Sequence, residues 1–261
     1  MSGRASRSSL LFAVGIGLAL AVQAVLPPPE RVARAIAEVN RAAGRTVPLR
    51  IEVELRFSEG SPLAGTLVTH PARSAHLEVR DSTGSVERHS LQGGNYTMTR
   101  DGEPQQFFHR LLPPLFLLQA ASGAQLREQL QVLGADAAAL QLGRLEDRDC
   151  YVLGEWEATG EAGRTPAAVS LWSDTRTHDP LRVFTREGVE YRLGPVALFD
   201  PLRLPAWIEV LEPGGFRARL ELRAAGAAPI EAPPPELGAT GAPQKPSPPL
   251  PMGAADRAIT E

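Results

Sequence analysis

The sequence predicts a mainly β fold of the α+β class, in which a long antiparallel meander curls around a helical segment placed in mid-chain. Three observations carry this. Short runs with period-two apolar spacing recur about every ten residues between turn residues, the mark of hairpins and not of βαβ units. One stretch, residues 107–134, has helical spacing instead and divides the runs into two series. The runs amount to about ten or eleven strands, and a sheet that wide curls or closes.

Residues 31–43 read as a helix, with Val32, Ala35, Ile36, Val39 and Ala43 on one face, Arg34, Glu38 and Arg41 on the other, and Gly44 as its stop. In the next strand Leu49, Ile51, Val53, Leu55 and Phe57 alternate with Arg50, Glu52, Glu54 and Arg56, so one face is apolar and the other wet. Strands follow at residues 63–69, 75–79, 85–91 and 95–100, joined by turns rich in Gly, Asp and Pro. Pro113 and Pro114 cannot lie inside a helix, so two helices are expected at residues 114–121 and 124–133, parted at Ser122-Gly123. Leu115, Phe116, Leu117 and Leu118 are apolar on every side, which requires burial on several faces or contact with an apolar ligand. The meander resumes at residues 138–145, 150–157, 167–172, 181–185, 189–193, 206–211 and 216–222.

The ends differ from this body. Arg4 and Arg7 precede the apolar residues 10–22, and Val22-Gln23-Ala24 supplies small residues for cleavage, so residues 1–24 are expected to be an export signal. The rival is a retained anchor, for which residues 10–26 reach the lower end of the roughly 17–25 needed to span a bilayer. Residues 25–29 form a linker, residues 30–224 the domain, and residues 225–261 a Pro, Ala and Gly-rich tail with nothing large to bury, expected to be disordered. Export places the domain in an extracytoplasmic compartment, and no permanent membrane span is expected after cleavage.

Loss of Arg4 and Arg7 takes the formal charge from -3 to -5. That mild acidity argues against nucleic acid as a partner and against electrostatic attraction to anionic lipid heads. Cys150 is the sole cysteine, which excludes an internal disulfide and reads as a small buried apolar residue. Five histidines, at positions 70, 76, 89, 109 and 178, show no metal-ligand spacing. His76 and His89 occupy polar strand positions and are expected to be exposed. Asp174, His178 and Asp179 share one loop, where turn chemistry explains them better than a cation does. Asp147 and Asp149 lie in a turn that gives neither a raised pKa. Asn95-Tyr96-Thr97 matches a glycosylation triplet of the kind that arises often by chance. No nucleophile elbow, phosphate loop or dinucleotide fingerprint occurs, so no enzyme activity, cofactor or metal is expected.

Several phrases, in order, resemble one family. Gly65-Thr66-Leu67, Pro71-Ala72-Arg73 and Leu77-Glu78-Val79 are similar to a hairpin of the LolA, LolB and RseB group of periplasmic lipoprotein carriers and regulators. Residues 145–153 resemble its strand ending Cys-Tyr-x-Leu, Leu171-Trp172-Ser173-Asp174 and residues 179–183 its next hairpin, and residues 204–210 a later strand. Two departures stand out: Glu103-Pro104 interrupts a strand, and no cysteine follows the signal to receive a lipid. The resemblance implies an open antiparallel half-barrel with an N-terminal helix and a mid-chain helical lid. It further implies a periplasmic, non-enzymatic carrier that shelters acyl chains of lipids or lipoproteins, or alternatively an RseB-type module that senses envelope stress through a protein partner. The expected cavity residues are Ile51, Val53, Leu55, Phe57, Leu67, Leu77, Val79, Phe116, Leu117, Trp172, Phe184, Trp207, Ile208 and Phe216.

Overall fold

The computed structural model describes residues 26–156 and 169–229, so the export signal and nearly all of the expected tail lie outside the described residues. Helix α1 (Pro29–Ala42) starts on prolines, whose missing N–H is no loss in a first turn. It ends in a Schellman cap: Gly44 takes a left-handed φ of 72°, its N–H reaches the carbonyl of Arg41, and the N–H of Arg45 reaches that of Asn40. Val32, Ala33, Ile36 and Ala37 are buried on one face together with a polar residue, Asn40. Its amide explains why it is there, donating to the carbonyls of Leu117 and Ala120 at 3.2 Å each and so tying α1 to the mid-chain segment.

Strands β1 (Leu49–Phe57), β2 (Leu63–His70), β3 (Ser74–Arg80), β4 (Val86–Gln92) and β5 (Asn95–Arg100) form the expected meander, and a two-residue β6 (Glu103–Pro104) adds to its edge. The second series comprises β7 (Leu140–Leu145), β8 (Arg148–Gly154), β9 (Ser170–Asp174), β10 (Pro180–Phe184) and β11 (Glu190–Leu193). A separate ribbon of β12 (Val196–Phe199) and β13 (Leu202–Pro205) follows, and then β14 (Trp207–Leu211) and β15 (Arg217–Ala227). The main sheet has 13 strands in the order β6-β5-β4-β3-β2-β1-β15-β14-β11-β10-β9-β8-β7, antiparallel throughout and open between β6 and β7. The last strand joins the two series by pairing with both β1 and β14. It runs to Ala227, three residues past the boundary set at residue 224, because Ala225, Gly226 and Ala227 pair with Ile51, Arg50 and Leu49.

Between the two series the chain crosses the concave side. Residues 114–121 are not an α-helix: only a 3₁₀ turn, Leu115–Gln119, forms before Ala120 returns to extended backbone. Two prolines and a run too short to repeat an i→i+4 bond favour this tighter turn. Helix α2 (Gly123–Leu133) then begins with the Ser122 hydroxyl accepting from the Gln125 N–H and ends at Gly134 in the left-handed region.

The concave face is filled by the chain itself. Phe116, Leu117 and Leu112 are fully buried and share one core with Ile51, Val53, Leu55, Leu67, Leu77, Val79, Ile208 and Leu220. The turn is fastened at one end by Gln119, whose carbonyl oxygen accepts from the Thr69 hydroxyl at 2.7 Å while its amide donates to the Val47 carbonyl at 2.6 Å.

Three expected cavity residues face the other way. Trp172 pairs across the sheet with Val152 on one side and Arg182 on the other, and packs in a separate outer cluster with Cys150, Val152 and Leu181. Phe184 lies on the same outer face, its ring 5.5 Å from Trp156 and 4.0 Å from the Arg182 guanidinium. Trp207 is also outside, opposite Glu221 and under Arg219 at 4.2 Å. The reason is visible in β9, where four successive residues are buried, so alternation gives no clue to which face is the core. Gly143 admits the Trp172 ring, since a Cβ there would lie 2.5 Å from it.

Candidate functional site

At the end of the half-barrel where β1 finishes, residues 105–112 form a strap over the mouth, and beside it lies a cleft of about 800 Å³. Phe57, Leu63, Met98, Phe108 and Leu111 supply its apolar wall, and Phe107 stands at the rim 93% exposed. Asp81, Glu87, Arg100 and Glu212 give it a polar border, within which Arg100 pairs with Glu87. The lining is mixed, six apolar side chains against nine polar or charged ones that also include His89, Gln105, Gln106, His109 and Arg110, and the volume suits a small molecule with both apolar and polar parts.

Each fastening of the strap can be traced to a side chain. Glu212, in the β14–β15 turn, accepts from the Arg110 N–H with one carboxylate oxygen and meets His109 Nδ1 at 2.7 Å with the other. The His109 ring stacks on Phe216 at 3.4 Å, and Phe216 packs in turn on Phe57 at 6.1 Å between centroids. The Tyr191 hydroxyl donates to the Arg110 carbonyl at 2.8 Å. The Tyr96 hydroxyl accepts from the Leu112 N–H at 2.8 Å and lies 3.1 Å from His89 Nδ1. Burial pushes both phenols up, so they remain neutral donors.

His89 is not exposed as expected but 1% accessible. The register decides this: Ile51, Leu67, Leu77, His89 and Met98 pair in a continuous row across β1 to β5, so His89 shares the concave face. Burial holds its pKa below the ordinary 6.5, partly offset by the Glu87 carboxylate 3.6 Å from Nε2, while His109 adds a smaller lowering effect. The Tyr96 hydroxyl, which accepts from the Leu112 N–H, can donate to Nδ1 of a neutral imidazole that carries its hydrogen on Nε2. A neutral histidine in the fold destabilises it only in acid. As pH falls below about 6.5 the unfolded chain takes a proton that the fold refuses, so stability present above that value is lost. His89→Gln should therefore lose less stability than the parent between about pH 7 and pH 5, read from urea midpoints. His76, half-buried with its pKa also lowered by burial, is common to both proteins and cancels. Equal losses would mean that His89 is no harder to protonate in the fold than in the unfolded chain.

Of the expected cavity residues, Phe57 and Phe216 reach the mouth, Trp172, Phe184 and Trp207 are on the outer face, and the other nine are within the filled core. Sequence reasoning missed Leu63, Met98, Phe107, Phe108, His109 and Glu212. The available signal was Phe107-Phe108-His109, an aromatic run followed within a few residues by prolines and outside any strand period. Cys150 is buried, as expected, and burial raises its thiol pKa. Among the described residues no group of three or more His, Cys, Asp or Glu is placed to hold a metal, and no helix is long and apolar enough to cross a membrane.

No protein-family model matches the chain, and no curated protein does. Solved structures do match. The chain is similar to a LolA superfamily protein from Nitrosomonas europaea at 10% identity and a TM-score of 0.47, covering 79% of this chain and 96% of that one. It is also similar to an outer membrane lipoprotein-sorting protein domain from Vibrio parahaemolyticus, at 10% identity and a TM-score of 0.44, over 76% of this chain and 92% of that one. A DUF1329 family protein from Desulfovibrio piger matches at 10% identity and a TM-score of 0.44, over 79% and 96%. These include the superfamily that the sequence phrases resemble. At such identities and scores the likenesses say nothing about function, which has to come from the mouth and its lining.

Proposed function

We propose that this chain is an exported, non-enzymatic binding protein of the periplasm that takes acyl chains of lipids or lipoproteins at the mouth of its half-barrel. The observation that supports it is the cleft itself: about 800 Å³ bordered by Phe57, Met98, Phe107 and Phe108, with the Phe107 ring left in water. An acyl chain laid there would gain about 0.8 kcal/mol for each methylene buried, without needing a charged handle. The deep cavity expected beneath the lid is occupied by Phe116 and Leu117, so a ligand is held at the mouth, beside the strap.

A second reading is favoured by that same filled interior. A concave face filled by the chain's own side chains suits a protein-interaction module, in which Phe107 and its neighbours would anchor an envelope protein. The two part in one set of measurements on the purified full chain. If acyl chains bind, organic extraction followed by mass spectrometry recovers lipid, and a fluorescent acyl probe binds saturably. Phe107→Ser then weakens the probe about tenfold, since burying such a ring is worth about 1.5–3 kcal/mol. The unfolding midpoint stays unchanged because the ring is 93% exposed. Recovery of no lipid and no probe binding, with cross-linking to an envelope protein that Phe107→Ser abolishes, would replace the first reading with the second.

A further inference from the structure

At the opposite end of β1 from the mouth, three elements converge on a buried guanidinium. Arg45 follows the cap of α1, Asp179 ends the β9–β10 turn, and Arg203 belongs to the β12–β13 ribbon. With Val39, Ala42 and Val196 they line a pocket of about 290 Å³. The Arg45 side chain is 1% accessible, yet among the described residues its one ion pair is a long contact of 3.5 Å to Asp179, and its Nε has no partner. A buried cation with so little compensation is costly unless something else completes it.

Helix capping does not account for it. The carbonyls of Asn40, Arg41 and Ala43 at the end of α1 already accept from the backbone N–H groups of Arg45, Gly44 and Arg203. The guanidinium is therefore free of that duty. Burial lowers the Arg45 pKa to about 10, with Asp179 opposing and Arg203 adding to the fall, so the group is still charged at neutral pH. Arg203 lines the same pocket as Arg45.

We propose that this pocket is a binding site for a small carboxylate carried on a short apolar group. Two guanidiniums against one carboxylate leave a single positive charge, which suits a monoanion better than a dianion. The exposed Arg203 guanidinium presents the planar fork that matches a carboxylate's two oxygens, while Arg45, 1% accessible, contributes its charge from within the fold. The walls of Val39, Ala42 and Val196 receive the alkyl part. The site is separate from the mouth and stands whether or not acyl chains bind there.

The test titrates the full chain with sodium butyrate, sodium acetate and inorganic phosphate, each against sodium chloride at equal ionic strength, following amide NMR shifts. Butyrate is expected to shift the amides of Arg45, Asp179 and Arg203 saturably and more tightly than acetate, with phosphate weakest. Arg203→Met, whose parent side chain is exposed, should weaken butyrate about tenfold through loss of a charge-assisted contact. Asp179→Asn should tighten it, since a competing carboxylate is removed. No saturable shift beyond that of chloride, or equal affinity in Arg203→Met and parent, would overturn the site. Phosphate binding more tightly than butyrate would overturn the assignment to a carboxylate.

Discussion

Phe116→Ala is expected to lower the unfolding free energy by about 3–5 kcal/mol, the usual cost of emptying a buried aromatic position. Phe116 is 0% accessible in the 3₁₀ turn on the concave side, where it shares one core with the inward side chains of β1, β2, β3, β14 and β15. The neighbours cannot collapse easily into the gap. Asn40 and Gln119 hold the turn from both sides with hydrogen bonds to Leu117, Ala120, Val47 and Thr69. The variant should therefore keep an apolar void, of the kind that stays dry and admits small apolar molecules. Urea unfolding measures the loss, and binding of benzene or xenon reports the void. A loss below about 1 kcal/mol would mean that the turn does not plug the half-barrel as described.

Trp172→Ala should cost a similar amount, about 3–5 kcal/mol, and yet leave binding at the mouth unchanged. Its indole is 1% accessible within the outer cluster, with Trp156 edge-on at 4.8 Å and the Arg182 guanidinium at 4.9 Å. These contacts add cation–π and aromatic attraction to the burial itself. None of them belongs to the concave face. Acyl-probe affinity, measured well below the unfolding temperature, should match the parent. A variant that folds but loses probe binding would put Trp172 in the ligand path and contradict the outward placement seen here.

Legibility from sequence was uneven, and the unevenness has a physical pattern. β1 was plain because one of its faces meets water, so Leu49 to Phe57 alternates without exception. β9 misleads because both faces are covered, so Trp172 was expected in the cavity and lies instead in the outer cluster. The short β12 and β13 escaped notice since four residues beside Pro195 and Pro205 carry too little pattern. His89 looked polar and exposed, but its partners across the ladder, Leu77 and Met98, turn it inward. The strap was readable as an aromatic run but not as a fastening, because its partners Glu212, Tyr191 and Tyr96 lie far away in the chain.

The local pattern of apolar and turn residues determined the class of fold, the first helix, most strand positions and the apolar surroundings of Phe116 and Leu117. Those are short-range properties, written in periods of two and of about 3.6. Only the tertiary structure decided which face of β9, β10 and β14 is the core, whether the space under the lid is vacant, and where an aromatic-rimmed cleft remains. Each of these depends on how segments separated by 100 residues or so pack together, and side chains of that separation meet through strand register and chain crossing, which no local period records.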